Sequence, residues 1–141
     1  MAWNEKIPVV EITNRVTSTT VDFAKRFGNY LGTDDIETDR NGRQSNLHNK
    51  LTTNQLRKFF GEVKRQQMQG FNDSDFVMLK PKLAYAVGRA SGIRNPKIKD
   101  FYVVMSDAID KVHNEKEFRN FIQIFEAIVA YHKATESKMG I

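Results

Sequence analysis

The sequence predicts an all-α fold, a compact bundle of about five helices with an N-terminal extension. Three observations lead there. Apolar residues recur at three- and four-residue intervals through most of the chain after residue 50, no alternating strand pattern occurs there, and no internal repeat or low-complexity tract interrupts it. A chain of 141 residues fits one core, and its ten phenylalanines make that residue the main packing element.

Residues 1–50 are expected to form the extension and residues 51–141 the helical domain. Within the extension, Ile7, Pro8, Val9, Val10 and Ile12 fit either a strand fragment or a tail that docks through Trp3. Val21, Ala24, Phe27 and Leu31 predict a short helix, with Thr19 or Thr20 to cap its start and Gly32 to end it. From Thr33 to Lys50 only Ile36 and Leu47 are apolar among Asp, Asn, Thr, Gly and Arg, which predicts a long mobile loop.

The domain opens on Leu51-Thr-Thr-Asn-Gln55, where a threonine cap precedes Leu56, Phe59, Phe60 and Val63 on one helix face. That helix should reach about Gln69 and stop at Gly70. Asp73 or Ser74 starts the next, and Phe76, Leu79, Leu83, Ala86, Val87 and Ala90 continue one stripe towards Gly92. Pro81 falls inside it, so either two helices abut there or one kinks. Ile98, Phe101, Met105, Ile109 and Val112 define a further helix between Pro96 and Asn114. The last runs from about Glu115 to Glu136 and is apolar on most sides, with Ile124, Ala127 and Tyr131 lying off the Phe118, Phe121, Phe125 face. Such a helix is the centre of a bundle, or is shared between its own core and a partner.

The net charge of +5 belongs to one segment: Leu51 to Lys99 holds ten basic residues against Glu62, Asp73 and Asp75, while the regions before and after it are balanced or slightly acidic. On the Leu51 helix, Arg57, Lys58, Lys64 and Arg65 form two rows opposite the apolar face. On the following helix Met78, Lys82, Tyr85 and Arg89 share one face, with Lys80 beside them. Amphipathic helices are often solvated by charge alone, but such faces usually intersperse both signs, and Glu62 is the lone acid on the first helix. Unneutralised like charges point to an external polyanion, and a tyrosine between Lys and Arg can stack on a base while its neighbours hold phosphates.

Catalysis finds no support in the residues. His48, His113 and His132 are scattered, Asp107 and Asp110 sit beside Lys111 as an ordinary helix face, and no phosphate loop or metal-binding spacing occurs. No cofactor and no metal are expected. The absence of cysteine excludes disulfides, Cys-based zinc sites and thiol chemistry. No apolar run approaches the ~20 residues that span a bilayer, and no leader pattern is visible, so the expected location is cytoplasmic with no membrane partner.

Three passages, in order and spacing, carry a resemblance: Leu51-Thr-Thr-Asn-Gln-Leu-Arg-Lys-Phe-Phe60, Leu79-Lys-Pro-Lys-Leu-Ala-Tyr-Ala-Val-Gly-Arg89 and Phe118-Arg-Asn-Phe-Ile-Gln-Ile-Phe-Glu-Ala-Ile-Val-Ala-Tyr-His-Lys133. Together they resemble the small helical subunit of type III-A CRISPR effector complexes, the Csm small subunit, over about Leu51 to Lys133. The first fifty residues match nothing in that pattern. The resemblance implies a non-catalytic all-α subunit present in several copies, bordering the groove where crRNA pairs with target RNA and bridging the backbone subunits. It further implies RNA-backbone contacts by Arg57, Lys80, Lys82, Arg89, Arg119 and Lys133, to which helical geometry adds Lys58, Lys64 and Arg65, with Tyr85 as the base-stacking residue among them. Apolar surface left on the last helix would then meet a further copy or another subunit. The rival readings are a free-standing helical DNA-binding regulator, reading bases with Asn54, Gln55 and Arg57, an adaptor for an acidic protein, and a small nuclease.

Overall fold

The computed structural model describes residues 3–141, and the all-α expectation holds: helices dominate, joined by loops and one two-stranded sheet. The stretch from Ile7 to Ile12, open between two readings, contains a short helix α1 (Val9–Thr13), followed by α2 (Ser18–Leu31). Thr17, two residues ahead of the expected caps, closes the start of α2 by accepting from the Thr19 amide, and Gly32 ends it. The buried Glu11 completes this end. Its Oε1 accepts from the amides of Thr17 at 2.9 Å and Thr20 at 3.1 Å, and from the Thr20 hydroxyl at 2.6 Å. A carboxylate suits the unsatisfied amides and positive dipole end of a helix start.

Burial alone would push the Glu11 carboxyl up, but the hydrogen bonds from Thr20 and Thr17 outweigh it and hold the group below its usual value. A depressed folded-state value stabilises the fold above the unfolded value and loses that contribution as pH falls through the folded one. Glu11→Gln is therefore expected to cost about 1–3 kcal/mol in urea unfolding at neutral pH. The gap from wild type should narrow in acid; a constant gap would show that the carboxylate's charge is not what anchors α2.

Between α2 and the next helix, the stretch expected to be a loop carries a hairpin of β1 (Ile36–Thr38) and β2 (Gln44–Asn46), antiparallel with Ile36 opposite Asn46. Gly42 takes the positive φ, +79°, that its turn requires. All six strand residues are exposed, so the hairpin adds little to the core. Its base is tied down by the buried Lys97, whose Nζ donates to the carbonyls of Tyr30 at 2.9 Å and Thr33 at 2.5 Å and pairs with Asp35 at 3.1 Å. Asn49, also buried, bonds both Asp35 and the Asn95 carbonyl. Burial would raise the Asp35 carboxyl, but Asn49 and Lys97 prevail and keep it low.

The remaining helices are α3 (Thr53–Gln69), α4 (Asp73–Val77), α5 (Leu79–Arg89), α6 (Lys97–Ile109) and α7 (Glu115–Glu136). Thr52 and Gln55 form a reciprocal capping box at the start of α3, and Gly70, at φ +88°, ends it. The chain does not kink at Pro81. Instead α4 and α5 abut at Met78, which leaves Pro81 in the first turn of α5, where a missing N–H costs nothing.

Helix α7 runs through the middle, against α1 and α2 on one side and α3 on another, and α6 reaches it through Phe101. Its apolar character on several faces is thus used within the chain: Phe121, Phe125 and Ile128 are fully buried, and Ile124 is buried as well. Ala127 and Tyr131, which the sequence leaves open between the bundle's centre and a partner, pack partly buried against the same core. Helix α2 supplies the cover, through Phe23, Ala24, Phe27 and Leu31, while Val21 at the margin of that stripe is exposed. The two helices approach so closely at Gly28 that a Cβ there would stand 2.7 Å from the His132 amide nitrogen and 2.8 Å from Tyr131 Cβ. Only glycine fits.

Candidate nucleic-acid interface

Helix α5 folds back along α3, and the two enclose an open groove of about 790 Å³. Arg57, Lys58 and Glu62 line it from α3, and Lys82, Tyr85 and Arg89 from α5. Phe59, Pro81 and Ala86 complete its walls, and Met78 closes one end. Parts of the two basic faces expected on separate helices thus meet across one groove: Arg57 and Lys58 of the first and Lys82, Tyr85 and Arg89 of the second line it, whereas Lys64, Arg65 and Lys80 do not. Their apolar sides meet beneath it, where Phe59 and Leu83 are buried in the core, and amphipathicity turns Lys and Arg outwards. Tyr85 is 69% exposed, its ring held by neither the core nor a partner aromatic.

The expected cations divide into two groups by their partners. Among the described residues, Arg57, Lys58, Arg89, Arg119 and Lys133 have no ion pair. Lys80 pairs with Asp110, just past the end of α6, at 2.7 Å, and Lys64 with Glu126 of α7. Arg65 and Lys82 both reach Glu62, at 2.5 and 3.1 Å. The bases of α3 are thus unneutralised only in part: Arg65 is met by Glu62 of the same helix and Lys64 by Glu126 of α7.

Glu62 is the floor of one end of the groove. Hydrogen bonding by Arg65, opposed by burial and aided by Gln66 and Lys82, draws its carboxyl down to about 2, so it is ionised throughout the neutral range. At the other end stand Arg57, Lys58 and Arg89, exposed and unpaired.

Not every expected residue borders this groove. Lys133 lies with Arg57, Phe60 and Val129 around a smaller apolar hollow of about 220 Å³ between α3 and α7, so Arg57 stands on the ridge between the two. Arg119 is exposed on α7 and lines neither. Glu62 and Asn54 also line the groove but are not among the residues the sequence assigns to RNA contact; for Glu62 the available signal is its being the lone acid on a basic helix.

Gln55, a base-reading candidate in the DNA-binding alternative, is engaged in the α3 capping box, where its Oε1 accepts from the Thr52 amide at 2.9 Å. His132 is buried, with Nε2 donating to the Leu51 carbonyl at 2.5 Å. Among the described residues no three His, Cys, Asp or Glu side chains come together as a metal-binding group, and no helix is long and apolar enough to cross a membrane.

Residues 35–138 match the family model described as Csm2 Type III-A. A curated relative, the CRISPR system Cms protein Csm2 of Enterococcus italicus, is 31% identical over 106 residues, which span 67% of this chain and 76% of the relative. No solved structure shows a significant match.

Proposed function

The chain belongs to the Csm2 family of type III-A CRISPR systems, and from that premise we propose that it is a non-catalytic small subunit that holds RNA in the α3–α5 groove. The carrying observation is the convergence of Arg57, Lys58 and Arg89, none of them ion-paired, on one groove beside the exposed ring of Tyr85. Phosphates of the backbone meet the three cations. The Tyr85 ring offers a stacking face, which every base can use, so sequence is read weakly or not at all. Guide and target RNA of the complex are the ligands this reading assigns, and other subunits and further copies of the chain align several such grooves along one strand. Each groove alone then binds modestly, and alignment multiplies the effect.

The test is direct binding of a labelled oligouridine to the purified chain across a range of salt. Three phosphate contacts to a single strand give a log–log slope of about −2. Binding that ignores salt, or that oligoglutamate displaces as well as RNA does, would remove the groove from RNA recognition and favour an acidic protein partner.

A further inference from the structure

Glu62 is an odd residue to find in a groove for a polyanion. Its side chain is only 16% exposed, and its two oxygens are fully engaged. Oε1 accepts from Arg65 Nε at 3.1 Å, and Oε2 accepts from an Arg65 terminal nitrogen at 2.5 Å and from Gln66 Nε2 at 3.0 Å. Lys82 Nζ stands 3.1 Å from the same Oε2. Gln66 is itself buried and also donates to the Asp75 carbonyl at 3.0 Å, so the carboxylate is braced from below and cannot swing out of the way.

We propose that Glu62 is a built-in rival of phosphate, holding Lys82 and Arg65 in intramolecular ion pairs so that RNA is gripped chiefly from the Arg57, Lys58 and Arg89 end. The inference rests on the groove being the RNA site. A phosphate that took Lys82 would have to lie beside the pinned carboxylate, and repulsion between the two anions offsets the attraction to the lysine. Such an exchange swaps one anion for another on the same cation, so it releases no extra counterion. The groove is therefore polar along its length: a gripping end and a tempered end. A tempered end limits affinity per copy.

The test is a double-mutant cycle on the full chain with labelled oligouridine. Glu62→Gln should tighten binding about tenfold at moderate salt and steepen the log–log slope by about 0.7 to 1.4 units, as one or two cations become available. Lys82→Gln should cost at least about threefold more in the Glu62→Gln background than in wild type. Equal cost in both backgrounds would mean that Glu62 acts only as a general negative charge, and would overturn the proposal. Unchanged or weaker binding by Glu62→Gln would do so too. Should that variant fail to fold, Lys82→Gln alone decides: loss of a full contact, about 0.7 in slope, contradicts the proposal, and a smaller loss supports it. If neutralising Arg57 and Arg89 leaves wild-type binding intact, the groove assignment itself has failed; if those variants weaken binding and the cycle shows no coupling, only the role of Glu62 has.

Discussion

Replacing Arg57, Lys58 and Arg89 by glutamine together is expected to flatten the salt dependence of RNA binding by about two log–log units and to weaken binding about a hundredfold at low salt. The three are exposed and without ion pairs, so the substitutions strip charge from the groove without unpairing any buried acid. Thermal unfolding should accordingly stay within about 0.5 kcal/mol of wild type, as surface changes usually do. A matched triple at Lys64, Lys80 and Lys111, paired with Glu126, Asp110 and Asp107 respectively, should change the slope far less. The contrast separates local grip from net charge. If both triples flatten the slope equally, the basic segment acts as a diffuse field rather than through this groove.

Phe125→Ala is expected to destabilise the fold by about 3–5 kcal/mol, a large share of the 5–15 kcal/mol typical of a whole domain. Phe125 is fully buried, with ring centroids of Phe59 at 5.5 Å, Phe60 at 5.9 Å, Phe121 at 6.4 Å and Phe101 at 6.5 Å. Those rings come from α3, α6 and α7, so the cavity would open where three helices meet and none can close it alone. Val103→Ala on α6, at 47% exposure, serves as control and should fall within about 0.5 kcal/mol. Because Phe59 is both a neighbour of Phe125 and a wall of the α3–α5 groove, RNA affinity should fall along with stability. Equal urea midpoints for the two variants would contradict the placement of this core.

Several helix ends set by local chemistry were legible, although the cap of α2, Thr17, lies two residues ahead of Thr19, the nearer of the expected caps. Asn114 before Glu115, the Thr52 and Gln55 pair, and Gly70 each act through their own backbone neighbours, so the bounds of α7 and α3 follow from the residues alone. The hairpin was not legible: Asn41-Gly42 is a turn signal, but Gln44, Ser45 and Asn46 show no alternation of apolar and polar side chains. Nor was the depth to which α2 packs on α7, which hangs on the missing Cβ of Gly28. For the site, the outward faces of α3 and α5 could be read from spacing, but their union needed α5 to fold back on α3. The neutralisation of Lys80 and Lys64 depends on acids 30 and 62 residues away, beyond any local pattern.

If the α3–α5 groove holds RNA as proposed, RNA lies against Tyr85 in the assembled type III-A complex. A photo-crosslinking amino acid placed at Tyr85, with a second version carrying it at the exposed Val21 on α2, tests this in complexes loaded with labelled guide and target RNA. A crosslink to RNA is expected from position 85, reduced when Arg57, Lys58 and Arg89 are neutralised, and none from position 21. Crosslinking to protein alone at position 85, or to RNA only from position 21, would contradict it.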